Sequence, residues 1–119
     1  SESSGVRQIT GTGGQLDYII GAFKSRGGKP IIALSSTVTR PDGTVVSRIT
    51  PALSPGTIVT VPRSIAAYII TEYGSVNLKG KTTWERAEGL INIAHPDFRD
   101  QLIKEAEKMK IWLRTTKIA

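Results

Sequence analysis

A turn carrying three glycines in four positions runs directly into an amphipathic helix, and this junction constrains the fold more than any other feature of the chain. The stretch is Gly11-Thr-Gly-Gly-Gln-Leu-Asp-Tyr18. Glycine lacks a Cβ, so the turn can enter φ > 0 and let another group come close to the backbone. Behind it Leu16, Ile19, Ile20 and Phe23 recur at i, i+3, i+4 and i+7, the spacing of one helical face. The first N–H groups of such a helix have no intrahelical partner, and that end carries partial positive charge. The junction is therefore a ready seat for a thioester oxyanion, a carboxylate or a phosphate.

The surrounding pattern is α/β. Residues 1–5 are small and polar and predict a flexible end, and residues 7–10 predict a short strand feeding the glycine turn. Gly27-Gly28 predicts the helix stop, at the C′ position. Residues 30–35 (PIIALS) predict a buried strand. Arg40-Pro-Asp-Gly43 predicts a turn, with Pro41 pre-setting φ and Gly43 free to go left-handed, joining residues 36–39 and 44–49 as a hairpin. After a loop at Pro51, Pro55 and Gly56, residues 57–61 (TIVTV) and 68–71 (YIIT) predict two more strands, the second ended by Glu72-Tyr-Gly74.

Two helices follow. Thr82 and Glu85 have capping-box spacing, ahead of a face made by Trp84, Ala87, Leu90, Ile91 and Ala94. Pro96 and Asp97 suit a first helical turn, and Phe98, Leu102, Ala106 and Met109 make the next stripe. Mixed strands flanked by helices argue for α/β. About five strands with so few crossovers make an incomplete sheet, so one face or edge is expected to be built against residues outside this chain. The 119 residues correspond to one domain or a piece of one, and the opening Ser-Glu-Ser-Ser predicts a start inside a longer protein.

Composition narrows the function. With no cysteine and only His95, the chain offers neither a disulfide framework nor a thiolate or histidine-cluster metal site, and a reducing, cytoplasmic setting is expected. No apolar run reaches the length of a membrane span. The net charge of +6 is scattered between Arg7 and Lys117, and aromatics amount to 6%, which does not make a nucleic-acid stacking platform. A modest positive field suits a small anionic ligand equally well.

Each candidate residue also has a structural reading. The glycine turn lacks the third glycine of the dinucleotide fingerprint, and Gly28-Lys29 is followed by Pro30 rather than the Ser or Thr of a phosphate-binding loop, so a ligand-free strand-to-helix turn is the alternative. Lys24, Arg26 and Lys29 around the end of the first helix either complement its dipole or, as Arg26 and Lys29 could, contact phosphate. Glu72 reads as a turn or salt-bridge residue, with no second carboxylate placed for acid–base work. His95 reads as a cap or packing residue, and the charged face of residues 99–108 as solvated surface. No Ser or Cys sits in a nucleophile elbow.

Taken together, several blocks resemble the acetyl-CoA hydrolase/transferase family. Gly11-Thr-Gly-Gly-Gln-Leu-Asp-Tyr18 resembles its GGQ-x-D-[FY] motif. Ser47-Arg48-Ile49 with Pro51, Thr60-Val-Pro-Arg63, Thr71-Glu-Tyr-Gly74, Leu78-Lys-Gly80, Arg86-Ala87 and Ile93-Ala-His-Pro-Asp-Phe-Arg99 follow in order over nearly the whole chain. The resemblance implies an α/β domain with a mixed sheet flanked by helices, of the NagB/RpiA/CoA-transferase-like type. Residues 1–119 would be the C-terminal part of the second of two related domains.

It also implies a reaction: coenzyme A moves from an acyl-CoA of butyryl or 4-hydroxybutyryl type to a carboxylate such as acetate, through a thioester on an enzyme glutamate. Coenzyme A would be a substrate, with no tightly bound cofactor and no metal, and the full-length enzyme would be a homo-oligomer. Gly14 would lend its backbone N–H to the oxyanion hole. Gly13, Gly14, Gln15 and Arg26 would contact coenzyme A. The family's nucleophilic glutamate lies N-terminal to the GGQ motif. Glu2 stands in a different context and Glu72 belongs to the TEYG block, so this chain is expected to carry half an active site and to be inactive alone. The alternatives are an acetyl-CoA hydrolase of the same family, in which water resolves the thioester, and a stand-alone basic module for an anionic ligand.

Overall fold

The structure, a computed structural model, describes residues 2–111. The elements run β1 (Ser3–Ser4), β2 (Arg7–Gln8), α1 (Gln15–Lys24), β3 (Ile31–Ala33), β4 (Thr37–Thr39), β5 (Val45–Ser47), β6 (Tyr68–Thr71), β7 (Gly74–Asn77), α2 (Thr83–Asn92) and α3 (Pro96–Lys108). The strands make three separate units. β1 and β2 form an antiparallel ribbon, β4 and β5 an antiparallel hairpin, and β3-β6-β7 a mixed sheet in which β3 is parallel to β6 and β6 antiparallel to β7. No helix among the described residues is long and apolar enough to cross a membrane.

The main core lies where α2 and α3 close on the chain that leaves β5. Ile49, Ile91, Ala94, Leu102 and Ala106 are buried together, with Ala87, Leu90, Phe98, Ile103 and Ile111 packed around them. Fully burying one such side chain contributes about 1.5–3 kcal/mol. Local signals start each helix where the sequence places it. Thr82 and Glu85 make both arms of the capping box: Glu85 N–H donates to Thr82 Oγ1 (3.4 Å) and Thr82 N–H donates to Glu85 Oε2 (2.7 Å). His95 caps α3, its Nδ1 accepting from Asp97 N–H at 3.3 Å, and Pro96 follows at the first helical position. Gly89 lets α2 lie close on β7, because a Cβ there would stand 2.4 Å from Val76 Cγ2.

The hairpin, β6, α1, α2 and α3 appear where the sequence places them; other expectations need correction. Residues 3–4 are not a loose end: they pair with β2, and Glu2 O accepts from the N–H groups of Ile9 (2.7 Å) and Thr10 (3.2 Å). Residues 57–61 form no strand. They lie between Pro55 and Pro62 and join none of the three sheets; Ile58 and Val59 stay exposed, and Thr60 Oγ1 donates to Glu2 Oε1 (3.0 Å) instead.

α1 ends before the glycine pair. Ser25 turns extended at the C-cap, and Gly27, at φ +71°, serves the turn closed by Gly28 N–H on Ser25 O. β3 is not buried, since β6 covers only one of its edges and Ile31 remains 49% exposed. Phe23 and Met109, the last residues of their helical stripes, and Trp84, the first of its own, are also exposed. β7 was not foreseen, because Gly74-Ser-Val-Asn77 carries little strand propensity and forms through pairing with β6.

Candidate functional site

The glycine turn has the geometry that its composition suggests. Gly13 takes φ +59° and swings the chain, and Gly14 (φ −100°, ψ 4°) becomes the N-cap of α1. Among the described residues no side chain caps this helix. Its first intrahelical bond runs from Tyr18 N–H to Gly14 O at 3.0 Å, so the N–H groups of Gly14, Gln15, Leu16 and Asp17 have no acceptor among the described residues. Capped helices satisfy such donors with a side chain or water. Here they remain available at the positive end of the helix dipole, with the Asp17 carboxylate as the one acidic group in the first turn.

A cleft of about 400 Å³ opens beside the turn. Gly11, Thr12, Gly13 and Gln15 form one wall, Glu2, Ser3 and Gly5 of the ribbon another, and Thr57, Ile58 and Thr60 the third. The structure thus brings Gly13 and Gln15 to one concave surface, whereas exposed Gly14, between them in sequence, does not itself line the cleft. Among the described residues only the ring of Tyr18, itself 82% exposed, would meet a Cβ on Gly14, at 3.3 Å from Cε2.

Arg26 is not brought to this cleft. It is exposed beyond the opposite end of α1, roughly 15 Å along the axis of a ten-residue helix. It has company there: Lys24 lies in the last turn, and Lys79 Nζ stands 4.8 Å from the ring centroid of Phe23. The two ends of α1 therefore differ. One offers backbone donors without an acceptor among the described residues, the other exposed cations.

A second constellation went unseen in the sequence. Glu72, in the turn between β6 and β7, accepts from Ser36 twice: from the hydroxyl at Oε1 (2.6 Å) and from the backbone N–H at Oε2 (2.9 Å). Ser36 is completely buried just past the end of β3. The Ser36 hydroxyl, followed by backbone N–H groups of Glu72 and Ser36, holds the Glu72 carboxyl below the usual glutamate range. It is thus ionised at neutral pH with both oxygens engaged. Glu72 is a turn residue as read, but its partner is a serine 36 positions away in sequence rather than a cation, and a lone Ser in a Ser-Ser pair carries no signal for such a contact. Beside it Tyr73, His95 and Phe98 stack edge to face, with Arg99 over Tyr73 at 5.7 Å.

A family model described as acetyl-CoA hydrolase/transferase C-terminal domain matches residues 1–106. A butyryl-CoA:acetate CoA-transferase of Anaerostipes caccae is 60% identical over 98% of this chain and 26% of its own length. A 4-hydroxybutyrate coenzyme A transferase of Clostridium kluyveri is 54% identical over 91% of this chain and 24% of its own. Among solved structures, RipA from Yersinia pestis superposes with a TM-score of 0.73 at 48% identity, over 88% of this chain and 23% of that one. A 4-hydroxybutyrate CoA-transferase from Porphyromonas gingivalis gives 0.63 at 42%, over 81% and 22%. The chain spans about a quarter of the length of the curated relatives it matches.

Proposed function

The chain belongs to the acetyl-CoA hydrolase/transferase family, as its C-terminal domain, and from that premise we propose that it supplies the oxyanion half of a CoA-transferase active site. The enzyme would move coenzyme A from a butyryl- or 4-hydroxybutyryl-type acyl-CoA to a carboxylate such as acetate through a glutamyl-CoA thioester. The attacking glutamate would come from a part of the polypeptide outside this chain, so the 119 residues alone would not catalyse transfer.

The observation that carries this reading is the Gly14 N–H, without an acceptor among the described residues and standing at a helix N-terminus next to an open cleft. Attack of a carboxylate on a thioester carbonyl creates a tetrahedral adduct whose oxygen bears negative charge. Fixed donors aimed at that oxygen lower the barrier, and losing one typically costs about 2.7–4 kcal/mol. Gly13 and Gln15 line the same cleft and would hold the thioester portion. Arg26, one helix length away with Lys24 and Lys79 nearby, would meet a phosphate at the far end of an extended ligand.

The test is the full-length enzyme given butyryl-CoA with and without acetate. Acetate-dependent transfer, with a trappable CoA adduct on a glutamate upstream of residue 11, supports the proposal. Release of free coenzyme A to water without acetate identifies a hydrolase instead, and transfer by the 119-residue chain alone overturns the division of the active site.

A further inference from the structure

β3 is a parallel strand with one bare edge. Tyr68 N–H donates to Pro30 O (3.1 Å) and Leu34 N–H donates to Ile70 O (3.0 Å). The even-numbered residues of this segment therefore face β6, in the register Ile31↔Tyr68, Ile32↔Ile69, Ala33↔Ile70. In a parallel ladder alternate residues of a strand serve the same neighbour. The N–H and C=O groups of Ile31 and Ala33 thus point to the opposite edge, where no strand lies among the described residues.

Such an edge is anomalous on three counts. Parallel strands are normally covered on both sides, and Ile31-Ile32-Ala33-Leu34 has the unbroken apolar character of a covered strand. Natural edge strands are blunted by charges or bulges, whereas residues 31–34 carry no charge. The first residue of β3, Ile31, is also 49% exposed. In an α/β unit the place beside β3 belongs to the strand that precedes α1, since strand, helix and parallel strand make one crossover. The strand that does precede α1, β2, is paired with β1 in the ribbon and leaves the place empty.

We propose that the open edge of β3 is the site where the rest of the longer enzyme joins this domain, through an apolar strand that hydrogen-bonds to Ile31 and Ala33. The occupant is a segment of the same polypeptide because the curated relatives are about four times as long as the region this chain spans. The inference rests on the reading of the chain as one domain of that enzyme, and it adds where the joint lies. Strand addition of this kind is held by main-chain hydrogen bonds, with alternate side chains giving specificity. It would make the sheet continuous across the joint and fix the glycine turn relative to the half of the site that brings the nucleophile.

Residue-resolved amide hydrogen exchange on the full-length enzyme tests this. Ile31 and Ala33 should exchange as slowly as Ile32 and Leu34, at least about a hundred-fold below unprotected amides, and independently of protein concentration. Fast exchange at Ile31 and Ala33 overturns the proposal. Protection that appears only as concentration rises overturns it too, because the edge would then be pairing with a second copy. Assaying CoA transfer on the same preparation separates the two readings. Activity with fast exchange removes the joint alone, and slow exchange without activity keeps the joint and removes the enzymatic reading.

Discussion

Ser36 and Glu72 tie the end of β3 to the turn that leaves β6: the serine gives the carboxylate both its hydroxyl (2.6 Å) and its backbone N–H (2.9 Å). These strands are the parallel pair of the sheet, and β6 is its central strand. A completely buried serine thus holds the two strand ends in register through an ionised acid at the surface.

Removing that hydroxyl should make stability less sensitive to acid. The folded-state pKa of Glu72 is lowered from 4.5, chiefly by the Ser36 hydroxyl. A lowered pKa stabilises the fold above the unfolded-state value, and the contribution disappears as pH falls through the folded-state value. Ser36→Ala should therefore unfold at lower urea concentration than the parent near neutral pH. The gap should close as pH drops below 4.5. Urea midpoints measured at both ends of this range decide it, and a gap that does not change with pH sinks the assignment.

At position 14 the prediction concerns rate. Gly14 has φ −100°, which any residue can adopt, so a substitution there need not strain the backbone. Gly14→Val puts its side chain against Tyr18 and over the approach to the free N–H. In the full-length enzyme kcat should fall roughly 10²–10³-fold if one oxyanion donor is lost, with the melting temperature little changed. Unaltered kcat would count against the oxyanion role.

The contact of α2 with β7 depends on the absence of a side chain at Gly89. Gly89→Ala gains up to about 1 kcal/mol of helix propensity. It also drives a methyl to 2.4 Å from Val76 Cγ2, and overpacking of this kind typically costs about 1–3 kcal/mol. Net destabilisation is expected, and Val76→Ala in the same chain should relieve it. A double-mutant cycle showing no coupling between the two positions would disprove the close approach.

Thr82 starts α2 through the capping box. Thr82→Ala should cost about 1 kcal/mol, whereas Thr82→Ser, which keeps the oxygen, should be nearly neutral. Equal loss in both variants, measured by chemical denaturation, would mean that the methyl rather than the cap is what matters.

Much of the candidate site could be read from residue order because its chemistry belongs to the backbone. A turn that needs Gly13 at φ +59° and a helix that begins at Gln15 are both written within one short stretch, so free donors at Gly14 follow without knowledge of any distant contact. The cleft was not legible, since its walls come from Glu2, Ser3 and Gly5, from residues 10–13 with Gln15, and from Thr57, Ile58 and Thr60. Nor was the distance of Arg26 from the turn, which depends on α1 running unbroken between them.

By itself the sequence determined the local elements: the glycine turn and α1, the Pro41–Gly43 hairpin turn, the capping box at Thr82, and Pro96 opening α3, each specified by neighbours a few residues apart. Tertiary structure alone decided partnership. It left residues 57–61 unpaired and β3 bare on one edge, while it made a strand of Gly74–Asn77 and a clamp of Ser36 with Glu72. The reason is physical: turns and caps are satisfied by their own neighbours, whereas a strand edge or a buried hydroxyl is satisfied only by whatever the rest of the fold places beside it.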